Sequence, residues 1–224
     1  MSVRRILMAA AAPVVAIVFS VAISSVVLLI AGTSPLEGWM EMLSYGTRLE
    51  TLVATANRAT PLYLAGIAVA IGFRMNLFNI GVEGQYVLAA LLSASVGAAV
   101  DLPAALHVAL IMLVAMTVGS LFAGVAGYLK VTRGVHEVIS TIMLNAIALS
   151  MVGYLMRTWL SDPEDTSLNL KTREIPESGR FPNLNGLVEA FTRDIKGGRE
   201  LGGFLLVAVL VGILFHLFDG FAAV

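Results

Sequence analysis

The sequence predicts an all-α, polytopic helical membrane protein with about six spans, and three observations carry that reading. Of 224 residues, 58% are hydrophobic and 13% charged, where an ordinary soluble domain carries roughly a quarter charged residues. The mean hydropathy of +0.89 comes from long apolar blocks rather than an even spread, and each block is long enough to cross a hydrocarbon core of about 30 Å at ~1.5 Å per residue. The chain also lacks the alternating pattern of a lipid-facing barrel strand. Backbone polar groups in hydrocarbon must be satisfied within their own segment, so the spans are helices.

In chain order the spans fall near residues 6–32, 52–73, 77–100, 104–129, 137–159 and 201–218. The first follows Arg4 and Arg5, and no charge appears before Glu37. That run is longer than a signal-peptide core of about 7–15 residues and lacks a clear small-x-small cleavage site, so it reads as a retained helix. Residues 36–50 mix Trp39, Met40, Leu43 and Leu49 with Glu37, Glu41, Arg48 and Glu50, which suits an amphipathic helix lying in the external interface. Basic residues in short loops orient the rest: Arg4 and Arg5, then Arg74, then Lys130 and Arg133 fall on the cytoplasmic side, and Asp101 and residues 161–200 fall outside. The 161–200 segment, with Pro163, Pro176 and Pro182 among mixed charges, reads as a solvated external loop. Ala89, Ser93 and Gly97, and on the next span Ala115, Gly119, Ala123 and Gly127, recur at every fourth position. Small residues at that spacing let helix backbones approach closely in lipid.

Several function classes are excluded or unsupported. A net charge of −1 with no basic run gives no sign of nucleic-acid binding. The absence of cysteine removes disulfides, thiolate metal sites and cysteine nucleophiles, and His107, His136 and His216 are too scattered to suggest a metal cluster. There is no G-x-S-x-G, no HExxH and no phosphate-binding glycine loop with lysine. The chain is expected to bind no cofactor. If ATP energises transport, a separate subunit hydrolyses it.

Polar residues within the apolar blocks carry the functional signal, because a carboxylate at the bilayer centre costs about 2.5–3.5 kcal/mol even on insertion-based scales. The stretch FNIGVEGQY, Phe78 to Tyr86, is the sharpest case. If residues 76–85 are helical, Asn76, Asn79 and Glu83 at i, i+3 and i+7 share one face. Gly81 and Gly84 each weaken a helix by roughly 1 kcal/mol relative to alanine, so a broken helix near 76–85 lining a cavity is expected. A second set, Glu137, Ser140, Thr141 and Asn145, occupies i, i+3, i+4 and i+8. Two readings stay open here: a polar face toward the path, or hydroxyls bonded back to the preceding turn with Glu137 in the interface beside Lys130, Arg133 and His136. Asn145, two turns deeper, calls for an interhelical hydrogen bond or a place on the path.

These residues are specific enough to suggest a family. ATPLYLAGIAVAIGFRMNLFNIGVEGQYVLAA followed by RGVHEVISTIMLNAIAL resembles the permease subunits of bacterial ABC importers in the ribose, branched-chain amino acid and nucleoside group, and within it the simple-sugar and nucleoside permeases that work with lipoprotein binding proteins. The likeness covers residues 52 to 160. It implies an all-helical permease of the bacterial inner membrane that moves nucleosides or simple sugars. The implied partners are a second permease subunit, a cytoplasmic ATP-binding subunit and an external substrate-binding lipoprotein. It also implies pathway or structural roles for Asn79, Gly81, Glu83, Gly84 and Gln85 in the first motif and for Glu137, Ser140, Thr141 and Asn145 in the second. Permeases of this group are usually longer, with further spans and a coupling segment, so residues 1–224 are expected to form one permease domain that is incomplete at its C-terminus. The competing classes are an ion-coupled secondary transporter, with Glu83 as the coupling carboxylate, and a permease fragment that does not transport.

Overall fold

The computed structural model describes residues 3–164, 170–186 and 200–222. Among them there is no β-strand, and the chain runs as helices joined by short connections: α1 (Val3–Ile30), α2 (Pro35–Gly46), α3 (Leu49–Arg74), α4 (Val82–Ala99), α5 (Ala104–Arg133), α6 (Glu137–Leu155) and α7 (Phe204–Ala222). A π-helical turn, Met156–Leu160, extends α6, and a short 3-10 turn covers Glu177–Gly179. The polytopic helical class expected from composition is what the chain adopts. Parts of the expected 161–200 loop, residues 165–169 and 187–199, lie outside the described residues.

By length and composition four of these segments qualify as membrane spans: Ala11–Ile30, Val82–Ala99, Ala104–Arg133 and Glu137–Leu160. Of the other two expected spans, Phe204–Phe218 is apolar but shorter, and α3 is long enough at 26 residues but carries Asn57, Arg58 and Thr60 in its first half. The surface fits lipid as solvent. Large apolar side chains such as Val15, Phe19 and Leu121 are more than 60% exposed, whereas Thr60, Ser93, Ser140 and Thr141 are buried. Large apolar side chains left exposed in this number suit a hydrocarbon solvent, while the few buried polar groups sit beside apolar ones such as Leu88, Leu91 and Ala148.

The chain divides into two compact units, and among the described residues the first runs to Thr55 and the second starts at Ala56. Within the first, Ser34 caps α2 by accepting the Glu37 N–H, with Pro35 at the first helical position. The Trp39 indole donates to Ser25 Oγ of α1 at 3.0 Å, and Gly38 lies against Leu28. The amphipathic helix ends at Gly46, so Arg48 and Glu50 lie outside it: Arg48 in the turn, Glu50 in the first turn of α3.

In the second unit α4 packs between α5 and α6. The small residues expected to pack on α4 do so: Ala89, Ser93 and Gly97 are buried, and a Cβ on Gly97 would fall 2.7 Å from Ile111 Cδ1 of α5. Among the described residues the matching stripe on α5 is not used this way, since a Cβ on Gly119 or Gly127 would meet nothing within 4 Å. α5 stops at Gly134, whose φ of 64° suits glycine, and whose N–H closes onto the Lys130 carbonyl. His136 then starts α6 by accepting the Val138 N–H at Nδ1. Asn57 in the first half of α3 holds the residues just before α7, its Nδ2 donating to the Glu200 carbonyl at 2.8 Å and its Oδ1 accepting the Gly202 N–H at 2.9 Å, and at the other end of α3 the Arg74 guanidinium lies over the Phe215 ring of α7.

Candidate functional site: the connection between α3 and α4

The polar stretch that interrupts the apolar blocks becomes the connection between α3 and α4. Residues 75–81 are not helical, so Asn76, Asn79 and Glu83 do not form the common helical face that a helical 76–85 would give them. Asn76 shows why the helix fails there. Its φ is 54°, a left-handed conformation that asparagine tolerates better than most residues, and its carbonyl accepts from Lys130 Nζ at 3.0 Å.

The connection is held by side chains from both of its flanks and from α6. Asn79 Oδ1 accepts the Gly81 N–H at 2.9 Å, an Asx turn, and the Asn79 and Gln85 amides pair reciprocally at 3.3 Å. Thr141 Oγ1 accepts the Ile80 N–H at 3.3 Å. Asn145 does most: its Nδ2 donates to the Ile80 carbonyl at 2.9 Å, and its Oδ1 accepts the Gly84 N–H at 2.8 Å.

The Gly84 bond solves a specific problem. The first N–H groups of a helix have no intrahelical acceptor, and the N-cap residue of α4 is Gly81, which has no side chain to offer. Asn145 supplies the missing cap from a neighbouring helix, 61 residues away in sequence. Close approach makes this possible. A Cβ on Gly84 would lie 2.7 Å from Asn145 Oδ1, 2.9 Å from Ala148 Cβ and 3.0 Å from Asn145 Cα, so only glycine lets α4 and α6 meet here. Gly81 is tight as well, with Asn79 Oδ1 and Thr141 Cβ at 3.1 and 3.2 Å from the same hypothetical atom.

At the start of α6 both back-bonding hydroxyls appear. Ser140 Oγ donates to the Glu137 carbonyl at 3.1 Å and Thr141 Oγ1 donates to the same carbonyl at 2.8 Å. The Glu137 carboxylate meets Lys130 Nζ at 3.0 Å, so one ammonium ties the Asn76 carbonyl, the end of α5 and the start of α6. His136 Nδ1 stands 3.8 Å from the same carboxylate and 3.3 Å from the Val138 N–H, which it accepts. Beside this network Gly72, Phe78, Ala126 and Glu137 line a small cleft of about 130 Å³.

The structure therefore brings together Asn79, Gln85, Thr141 and Asn145, with Ser140 and Glu137 in the adjoining turn. Asn76 joins through its backbone alone, its side chain being exposed. Glu83 stands apart: it is exposed, has no hydrogen bond or ion pair among the described residues, and shares its outward position with Tyr86, three residues on. Sequence reasoning missed a second network at the opposite end of the same bundle. His107, fully buried, meets the Gly97 carbonyl at 2.8 Å and Ser178 Oγ at 2.9 Å, and Ser178 donates to Asp101 at 3.3 Å. A histidine on an apolar helix was the visible signal; its partner Ser178, 71 residues away, was not. Among the described residues no group of acidic or histidine side chains is placed to hold a metal ion.

Comparison with known proteins places this architecture. Residues 51–221 match the family described as branched-chain amino acid transport system / permease component. The chain belongs to this permease family. It is 35% identical over 204 residues, 90% of this chain and 55% of the relative, to the guanosine ABC transporter permease protein NupP of Bacillus subtilis (strain 168). It is 32% identical over 188 residues, 79% of this chain and 46% of the relative, to the glucose ABC transporter permease protein TsgB13 of Haloferax volcanii. With the nucleoside ABC transporter permease protein NupB of Lactococcus lactis subsp. cremoris it shares 30% over 149 residues, 65% of this chain and 41% of the relative. The chain spans about half the length of the curated relatives it matches. No solved structure matches it. The permease family and the apolar helices make it a multi-pass membrane protein.

Proposed function

We propose that the chain is the transmembrane permease part of an ABC importer that moves nucleosides into the cell. The observation that carries this reading is the 35% identity to a guanosine permease across 90% of the chain; a permease named for glucose is also similar, which makes simple sugars the second substrate class. The chain binds no cofactor and carries out no chemistry. A cytoplasmic ATP-binding subunit hydrolyses ATP, a second permease subunit pairs with this one, and an external lipoprotein delivers the solute. The N-terminus, Arg74 and the Lys130 turn face the cytoplasm of a bacterial inner-membrane protein, with α2 in the external interface and the loop after α6 outside, in keeping with the basic residues of the short connections.

Within this reading the polar residues divide their work. Asn79, Gln85, Thr141 and Asn145, with Gly81 and Gly84, hold the α3–α4 connection, and Lys130, Glu137, Ser140 and the Asn76 carbonyl lock it to the α5–α6 turn. Glu83, outward and without a hydrogen bond or ion pair among the described residues, belongs to the surface that the second subunit or the solute meets, since a carboxylate there is not left against lipid. Affinity purification of the chain from membranes tests the assembly: an ATP-binding subunit copurifies and the complex hydrolyses ATP, whereas a chain that comes down alone and transports without a nucleotidase partner refutes it.

A further inference from the structure

At the end of the bundle opposite the Lys130–Glu137 pair, a cavity of about 470 Å³ opens between the end of α4, the π-helical turn and the following loop. This lies within the ~300–1,000 Å³ range of small-molecule sites. Its lining is unlike the rest of the apolar surface: Trp159, Arg173 and the hydroxyl residues Ser95, Thr158, Ser161 and Thr172. Three features suggest a place for a solute. First, Trp159 sits in a five-residue π turn, Met156–Leu160, a local departure from the α-helix that often marks functional sites, and it is 73% exposed, with its ring free to be covered. Second, the hydroxyls of Thr158, Ser161 and Thr172 have no partner among the described residues, and Ser95 spends its proton on the Leu91 carbonyl, keeping lone pairs to accept. Third, the wall is anchored: the Asp162 N–H bonds the Lys171 carbonyl at 2.8 Å, and Ser178 is pinned on the buried His107.

We propose that this cavity is an entry subsite for a nucleoside, with the base stacked on Trp159, its carbonyl edge on the Arg173 guanidinium and its ribose hydroxyls among Thr158, Ser161 and Thr172. The proposal rests on the importer reading above and narrows its substrate class. An aromatic face accepts any base, a guanidinium donates to the carbonyl and ring-nitrogen edge of a purine, and a row of hydroxyls suits a ribose, which both donates and accepts.

The test is uptake of radiolabelled guanosine by cells carrying the complete importer, with membrane levels of each variant matched. Trp159→Phe keeps an aromatic face and stays within about threefold of wild type, while Trp159→Leu and Trp159→Ala fall about tenfold or more, as loss of base stacking requires. Arg173→Gln, at a loop position outside the bundle core, lowers uptake of guanosine several-fold more than uptake of purine riboside, which lacks the base carbonyl. Equal rates for the phenylalanine and leucine variants would make Trp159 an interfacial anchor or a packing group and overturn the subsite, with guanosine uptake itself leaving the importer reading standing. Equal losses on the two nucleosides would overturn the role of Arg173. A wild-type importer that carried glucose and no nucleoside would overturn the proposal while sparing the permease assignment.

Discussion

Asn145 caps a helix to which it does not belong: its Oδ1 accepts the Gly84 N–H of α4 at 2.8 Å, across 61 residues of sequence. The amide nitrogen of the same side chain, Nδ2, donates to the Ile80 carbonyl, so one residue of α6 fixes both sides of the point where α4 begins. Replacing Asn145 with leucine leaves the buried Gly84 N–H without an acceptor, at about 1–3 kcal/mol. Asn145→Asp keeps the acceptor and loses the donor, and costs less. Thermal unfolding of the importer in nanodiscs ranks them: wild type above Asp, and Asp above Leu. Equal midpoints for wild type and the leucine variant would remove the cap from the account.

Gly84→Ala sets a propensity gain against a steric loss. Alanine is favoured over glycine in a helix by about 1 kcal/mol, yet the new methyl meets Asn145 backbone at 3.0 Å and Ala148 at 2.9 Å. The backbone contact cannot be relieved by turning a side chain, so the substitution is destabilising and separates α4 from α6. Gly81→Ala, whose nearest atoms stand at 3.1 Å or more, is the milder change. Membrane levels and thermal midpoints of the two variants decide the order, and a Gly84→Ala protein at least as stable as wild type would contradict it.

Lys130 and Glu137 form a pair that also reaches the Asn76 carbonyl. Lys130→Glu places two carboxylates at one junction and loosens the α5–α6 turn, while the exchange Lys130→Glu with Glu137→Lys restores the opposite charges. Uptake should fall in the single variant and recover substantially in the exchange. Failure of the exchange to recover any function would assign the two residues separate roles.

Orientation is read from single cysteines in a chain that has none. Thr132→Cys, beside the Lys130 end, should be protected from an impermeant thiol reagent added to intact cells, and Glu174→Cys, on an exposed loop side chain, should be labelled. The reverse pattern would invert the topology.

Much of the architecture was legible because lipid imposes it. Long apolar blocks have to be helices, and the bounds of α4, α5 and α6 fall within a few residues of those the hydropathy gives, save the start of α4. That start moved from residue 77 to Val82 because the polar stretch uses its amides to satisfy an irregular backbone rather than to form a helical face. The back-bonding of Ser140 and Thr141 and the Lys130–Glu137 contact were legible as one of two open readings, since all are local in sequence. For Asn145 the sequence offers an interhelical bond or a place on the path; its acceptance of a helix N-terminal N–H depends on how closely Gly84 lets α6 approach. The association of His107, Ser178 and Asp101 was not legible for the same reason: their proximity is a property of the packed bundle and of the loop folded over it.

The central claim, that this chain is the membrane path of an ATP-driven nucleoside importer, is tested most directly by guanosine uptake in cells carrying the complete importer with its ATP-binding subunit intact or inactivated for hydrolysis. The account predicts concentrative uptake with the intact subunit, insensitive to moderate collapse of the proton gradient, and its loss when hydrolysis is blocked. Uptake that persisted without ATP hydrolysis and followed the proton gradient, with Glu83→Gln abolishing it, would contradict the claim and make the chain an ion-coupled carrier.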